Sequence, residues 1–332
     1  MSGSNVSQPD RNLAMELVRA TEAGALAAAR WMGRGDKIAA DQAAVDGLRT
    51  ALATIEMDGI VVIGEGEKDE APMLYIGEEV GKGQEPRVDI AVDPVEGTRL
   101  LANGMPNAIS VVAISERGTM HFPAKIAYME KLATGPAAAD AIDIERPLRE
   151  NLERVAKAKG MGVRDLTVVV LDRPRHSEIV EEIRSAGARI KFITDGDVAG
   201  ALMAAMPETG LDLLVGIGGA TEGTISACAL KCMGGNLQSR IWPRNDEERQ
   251  LVKEMNLDVT KVYSMDDLVS SDNVFFAATG ITDGELLSGV HYSANGATTD
   301  SLVMRSKSGT IRRVRASHHL DKLTAFAATR FD

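Results

Sequence analysis

The chain has 332 residues and a formal net charge of −11, from 37 Lys+Arg against 48 Asp+Glu. The length suggests two domains or one large one, with enough apolar residue (44%) to bury a core without disulfide staples. The acidic balance argues against a general binder of nucleic acid or anionic membrane, and 4% aromatics against a stacking platform for single strands, but a phosphorylated substrate stays open because bound cations can invert local charge.

In chain order, residues 1 to about 10 read as a disordered tail. Leu13–Trp31 has apolar residues at helical spacing and predicts an amphipathic helix that stops near Gly33 and Gly35. A second, Ala- and Leu-rich helix is expected over Asp41–Met57, then a β-branched strand in GIVVIGEGE running into a glycine-rich turn. Pro72 is expected to open a helix through Glu79. VDIAVDPVEG repeats the strand-then-turn pattern, and ISVVAIS is a third strand. Around Ala137–Pro147 the composition marks a boundary, dividing the chain into an α+β unit (11–150) and an α/β unit (151–332). Beyond it, strands at Thr167–Leu171, Ile190–Thr194 and Leu211–Ile217 alternate with helices at Ser177–Ala186 and Val198–Met206. That rhythm argues for βαβ units and a mostly parallel sheet. NVFFAATG is a further strand, and VMRSKSGTIRRVRA predicts a hairpin turning at Ser308-Gly309.

Cys228 and Cys232, spaced i, i+4 in ACALKC, belong on one helical face and form neither a CxxC turn nor part of a zinc cluster. A reducing compartment is the simplest reading. The start MSGSNVSQPDRN lacks the apolar stretch of a signal peptide, and no run approaches the length of a membrane span. The expectation is a soluble, cytoplasmic protein.

The acidic residues that carry information sit after strands: Glu65, Glu67, Asp69 and Glu70 in GEGEKDE, Asp93 and Glu96 in DPVEGT, and Glu222 in GGATEG. Ligands of open α/β sheets bind beyond the carboxyl ends of the strands. Carboxylates converging there repel one another unless a cation lies between them, and hard divalent ions such as Mg²⁺ or Mn²⁺ are the natural partners. Each motif alone also reads as a solvated or helix-capping turn; it is their joint position that points to chemistry.

The motifs VVIGEGEKDEAPML, AVDPVEGT, YMEKL, RPRH, TDGDVAGA, GIGGATEG and MRSKSGTIR, in this order from about Asp10 to about Leu323, resemble the class II (GlpX-type) fructose-1,6-bisphosphatases. DPVEGT is also similar to an element of the wider lithium-sensitive phosphatase superfamily, which includes inositol monophosphatases. The resemblance implies a layered αβαβα sugar-phosphatase fold, with a mixed N-terminal sheet and a mostly parallel C-terminal one. It implies two or more Mg²⁺ or Mn²⁺ ions held by Asp41, Glu65, Asp93, Glu96 and Glu222, with Thr98, Asp69 and Lys37 as catalytic residues. Substrate contacts then fall on Glu96, Gly97, Thr98, Tyr128, Arg173, Pro174, Arg175, Asp195, Gly196, Asp197 and Gly219. Thr221 stands where many relatives carry Pro.

The implied reaction is hydrolysis of the 1-phosphate of fructose 1,6-bisphosphate by a homo-oligomer, dimer or tetramer. Thr98, polarised by Asp69 or Asp41, would orient the attacking water, and Arg173 and Arg175 would hold the distal phosphate. Rival readings are a dual fructose-1,6-/sedoheptulose-1,7-bisphosphatase, an inositol-monophosphatase-like enzyme, or a non-catalytic sugar-phosphate binder. His176 reads as structural, and the basic run Arg312, Arg313, Arg315, His318 and His319 as a solvated strand face.

Overall fold

The structure is a computed structural model that describes residues 12–64, 74–121, 127–319 and Lys322. Two helices open it, α1 (Ala14–Ala29) and α2 (Lys37–Leu52). α2 begins four residues earlier than its sequence suggests, because Asp36 caps it by accepting from Ala39 N at 3.0 Å. There follow β1 (Asp58–Ile63), β2 (Glu79–Gly81), β3 (Arg87–Glu96), α3 (Thr98–Ala102), β4 (Ile109–Glu116) and β5 (Tyr128–Thr134). Then come α4 (Leu148–Ala158), β6 (Thr167–Leu171), α5 (Ser177–Ala186), β7 (Arg189–Ile193), α6 (Asp197–Ala205), β8 (Leu213–Gly219), α7 (Ala220–Met233) and β9 (Asn236–Ile241). α8 (Asp246–Glu254), α9 (Met265–Leu268), β10 (Phe275–Gly280), β11 (His291–Ser293), β12 (Gly296–Arg305) and β13 (Thr310–His318) complete the chain.

The strands form two mixed sheets. The first has eight strands in the order β11-β12-β10-β4-β3-β1-β2, with β13 paired to β12. Only its β1–β3 pair is parallel. The second has the order β7-β6-β8-β5-β9; β7, β6 and β8 run parallel, β5 pairs antiparallel with β8, and β9 pairs antiparallel with β5. The β12–β13 hairpin forms as expected and turns through Ser306–Gly309.

Side-chain alternation shows how the layers stack. Val112 and Ile114 of β4 pack with Leu17, Val45 and Leu48 of α1 and α2, whereas Val111 and Ala113 face the opposite cluster. That central cluster contains Val198 and Leu202 of α6, Ile225 and Leu230 of α7, and Val169 and Leu214 of the second sheet. The far face of the second sheet, with Val168, Val170 and Leu213, packs on Leu152 and Val155 of α4 and Ile183 of α5. The result is an αβαβα sandwich with α6 and α7 between two sheets.

Both sheets draw strands from either side of residue 150: β5 precedes it and pairs in the second sheet, and β10–β13 follow it and pair in the first. One expectation is corrected. The helix expected from Pro72 is absent over its described part. Gly77 takes φ +93° and donates its N–H to Val61 O, and Glu79–Gly81 pairs antiparallel with β1. Pro72 itself lies outside the described residues.

α1 and α2 approach closely because Gly47 has no side chain; a Cβ there would sit 2.5 Å from Ala23 O. Gly→Ala inside a helix ordinarily stabilises by about 1 kcal/mol. Here the sign reverses. Gly47→Ala is expected to cost about 1–3 kcal/mol by pushing the helices apart, read as a lower denaturant midpoint; an unchanged or higher midpoint contradicts the packing.

Candidate active site

The carboxyl ends of β3, β6, β7 and β8 and the start of β5 meet around one cavity of about 660 Å³. Its lining includes Lys37, Asp93, Glu96, Gly97, Thr98, Tyr128, Arg173, Arg175, Asp195, Gly196, Asp197, Gly219 and Glu222. The structure therefore brings together most of the residues singled out in the sequence. Asp41 stands one hydrogen bond behind the lining, and Pro174 opens the turn between Arg173 and His176. Glu65 and Asp69 lie outside the described residues, as do Glu67 and Glu70.

One end of the cavity is acidic. Asp93 folds back so that its Oδ1 accepts from Val95 N at 3.0 Å, the turn that lets β3 release its chain into α3. Glu96 is buried, and its Oε1 accepts from Val198 N at 2.9 Å, tying the end of β3 to the first turn of α6. Burial, then the charges of Glu222 and Asp197, push the Glu96 carboxyl up to about 8. The interaction of Glu96 with Asp93 and the bond from Val198 N act the other way, favouring its charged form. Thr98 Oγ1 donates within 3.1 Å of both Asp41 Oδ1 and Val95 O, and burial raises Asp41 to about 6. Glu222, in the first turn of α7, accepts from Thr221 Oγ1 at 2.8 Å. The Thr221 hydroxyl thus bonds a candidate ligand.

Sequence reasoning missed the counter-charge. Lys131, on β5, is the only lysine buried among the described residues, and its Nζ donates to Asp197 Oδ2 at 2.7 Å. Asp197 Oδ1 is buried and has no partner. A Cβ on Gly218 would run into Asp197 Oδ2, and one on Gly219 into Glu222 Oε2, so the glycines of GIGG make room for the acids. The available signal was Lys131 lying between Met129 and Ala133 on a strand, an inward ammonium that needs an acid.

The other end is basic. Arg175 donates through Nε and Nη2 to Ile217 O at 3.2 and 2.7 Å, and its guanidinium lies 5.1 Å from the Tyr128 ring centre. Arg173 donates to Thr194 O at 2.7 Å and to Asp195 Oδ1 at 3.4 Å. Two arginines that sequence reasoning did not select also line the cavity. Arg99 donates to Thr194 O at 2.6 Å, and Arg244 lies 5.6 Å from the Tyr128 ring centre while pairing with Glu248. Neither lies in a motif that distinguishes it from a surface arginine.

The glpX-encoded bacterial fructose-1,6-bisphosphatase family matches residues 11–318. The chain belongs to this family. Among its relatives, the fructose-1,6-bisphosphatase 1 class 2 of Escherichia coli strain K12 is 46% identical over 325 residues, covering 94% of this chain and 96% of that one. The class 2 fructose-1,6-bisphosphatase of Shigella flexneri matches to the same extent. Among solved structures, the extragenic suppressor protein suhB of Bartonella henselae matches 58% of this chain and 73% of that one, at 14% identity and a TM-score of 0.32, too slight a likeness to argue from.

Family membership implies a divalent-metal requirement, and the donor set can be tested against it. As placed, no three His, Cys, Asp or Glu side chains among the described residues converge as a metal-binding group. The chemistry nonetheless fits a hard cation. The donors are all carboxylate oxygens, and a buried Asp197 oxygen has no partner.

The Lys131–Asp197 pair yields a prediction. Lys131→Met leaves a buried carboxylate uncompensated and is expected to cost about 3–5 kcal/mol in denaturant unfolding. Adding Asp197→Asn should recover most of that loss. A single variant as stable as the parent would show that Lys131 does not carry the charge of Asp197.

Proposed function

We propose that this phosphatase hydrolyses the 1-phosphate of fructose 1,6-bisphosphate, giving fructose 6-phosphate and inorganic phosphate, with Asp41, Glu65, Asp93, Glu96 and Glu222 holding two or more Mg²⁺ or Mn²⁺ ions. The observation that supports this reading best is the polarity of the cavity, with Thr98 among carboxylates at one end and Arg173 and Arg175 at the other. A substrate with one phosphate needs only the first end; a bisphosphate uses both.

When bound, divalent cations lower the pKa of a water molecule and neutralise phosphoryl oxygens. The chain's own residues supply the geometry. Asp41 accepts the Thr98 hydroxyl, which leaves the Thr98 oxygen free to accept from a water and aim it at the phosphorus. Asp69, outside the described residues, is the alternative acid for this relay. Lys37, at the start of α2, adds positive charge at the acidic end. Gly97 and Gly219 let the backbone approach the phosphate, while Asp195 and Asp197, either side of Gly196, face the sugar hydroxyls. Pro174 fixes the backbone between the two arginines, and Tyr128 lies beneath Arg175. Arg175 is half-buried, and burial lowers its pKa, so an arriving phosphate restores to its guanidinium some of the stabilisation that water no longer gives.

We further infer a homo-oligomer in the cytoplasm. β13 supports the first: it is a nine-residue outer strand, mostly exposed, of the kind proteins ordinarily cover. The free, buried Cys228 and Cys232 are consistent with the second. Among the described residues no helix is long and apolar enough to cross a membrane.

Three outcomes test the catalytic reading in a phosphate-release assay over fructose, sedoheptulose and inositol phosphates with each metal. Release from fructose 1,6-bisphosphate should need Mg²⁺ or Mn²⁺ and vanish with chelator; activity that survives chelation overturns the metal reading. Thr98→Ala should stay folded and lose about 10²–10⁴ in kcat, and near-parental turnover would remove Thr98 from the mechanism. Arg175→Ala should raise KM for the bisphosphate by about 10- to 100-fold through loss of a charge-assisted contact. An unchanged KM would place the distal phosphate elsewhere.

A further inference from the structure

The RPRH motif contains one residue that the catalytic scheme leaves unused. His176 is 1% exposed and is not among the residues that line the cavity. Its Nε2 accepts from Ile217 N at 2.8 Å, and its Nδ1 lies 2.7 Å from Leu171 O. A backbone N–H can only donate, so Nε2 carries no proton; a carbonyl can only accept, so Nδ1 carries it. The two contacts together fix a neutral imidazole in one tautomer.

The ring sits where the second sheet opens. Residue pairing between β6 and β8 is limited to Val168 with Leu213 and Val169 with Leu214. Past that point the strands part, and His176 spans the gap from Leu171 on one to Ile217 on the other. Ile217 is also the residue whose carbonyl receives both bonds from Arg175. Two consecutive side chains of one 3-10 turn therefore hold Ile217, His176 at its N–H and Arg175 at its C=O. Gly216, just before it, has φ +148°, and a Cβ there would stand 3.1 Å from His176 Cε1 and Nε2. The bare backbone lets the ring lie against the strand. Burial, followed by the charge of Arg175, lowers the His176 pKa, which agrees with a ring held neutral.

The geometry points to His176 as the positioning residue of the distal-phosphate clamp: its Nδ1–H imidazole sets the separation of β6 and β8 at which Arg175, braced on Ile217 O, faces the cavity. This rests on the reading of Arg175 as a contact to the second phosphate. His176 touches no substrate and moves no proton in the reaction. It acts on affinity through Arg175.

Kinetics and spectroscopy test this separately. His176→Ala should raise KM for fructose 1,6-bisphosphate about tenfold while kcat stays within about twofold. His176→Gln, whose side-chain oxygen can still accept from Ile217 N, should recover most of the affinity. In an Arg175→Ala background, His176→Ala should add no further rise in KM. A fall in kcat at unchanged KM, no recovery in the Gln variant, or additive effects of the two substitutions would each overturn the proposal. Nitrogen NMR of ¹⁵N-histidine-labelled parental protein needs no turnover and covers the case in which the Ala variant does not fold. The His176 signals should report the neutral Nδ1–H tautomer. Inorganic phosphate, added without metal, should shift them in the parental protein and not in Arg175→Ala. An Nε2–H tautomer, or signals that ignore phosphate in the parental protein, would also overturn it. If the parental protein releases no phosphate from fructose 1,6-bisphosphate, the functional reading fails while this measurement still stands.

Discussion

The structure depends on keeping Glu96, Asp197 and Glu222 close together at the junction of two sheets, two of them almost out of contact with water. Like charges in a poorly solvated cleft repel strongly, and one buried ammonium, Lys131, cannot balance them. The fold eases the conflict in several ways. Asp197 opens α6 and Glu222 lies in the first turn of α7, so both acids stand at the positive ends of helices. Val198 N binds Glu96, and Gly218 and Gly219 remove the side chains that would crowd the acids. What is left is a site with a deficit of positive charge, which favours binding of a divalent cation.

The layering makes that arrangement rigid. α6 and α7 lie between two sheets and cannot shift without disturbing both, because Val198, Ile225 and Leu230 belong to the same cluster as Val111 and Phe276 on one side and Val169 and Leu214 on the other. Thr98 and Asp41 come from α3 and α2, which pack on the first sheet. Arg173, Arg175 and Asp195 come from the ends of the second. The cavity is therefore the seam between sheets: Asp93 and Glu96 come from the end of β3 in the first, and Arg173, Arg175, Asp197 and Glu222 follow strands of the second.

Much of this was legible in the sequence. TVVVL and SEIVEEIRSA form β6 and α5 over the residues expected, because a short β-branched run and a strongly amphipathic helix each satisfy their local preference and the tertiary pattern together. The DPVEGT, RPRH, TDGD and GIGGATEG turns fall at the cavity because strand ends are where the sheets open. Less legible was anything set by distant pairing. YMEKLAT and NLQSRI carry too little periodic signal to read as strands; the first becomes one by pairing with β8 and the second by pairing with the first. The return of β10–β13 to the first sheet is likewise a matter of non-local register. Lys131, Arg99 and Arg244 were missed for the same reason: their importance lies in what they meet across space. The role of His176 depends on the loss of pairing between β6 and β8, which no local pattern encodes.

The central claim is that the acidic end works on one phosphate while the arginine end holds the other. Phosphorus NMR of fructose 1,6-bisphosphate during turnover tests it most directly, because it reports which ester is cleaved. The account predicts that the 1-phosphate signal alone disappears, with inorganic phosphate and fructose 6-phosphate growing in equal amounts. Accumulation of fructose 1-phosphate, or loss of both esters at similar rates, would contradict it.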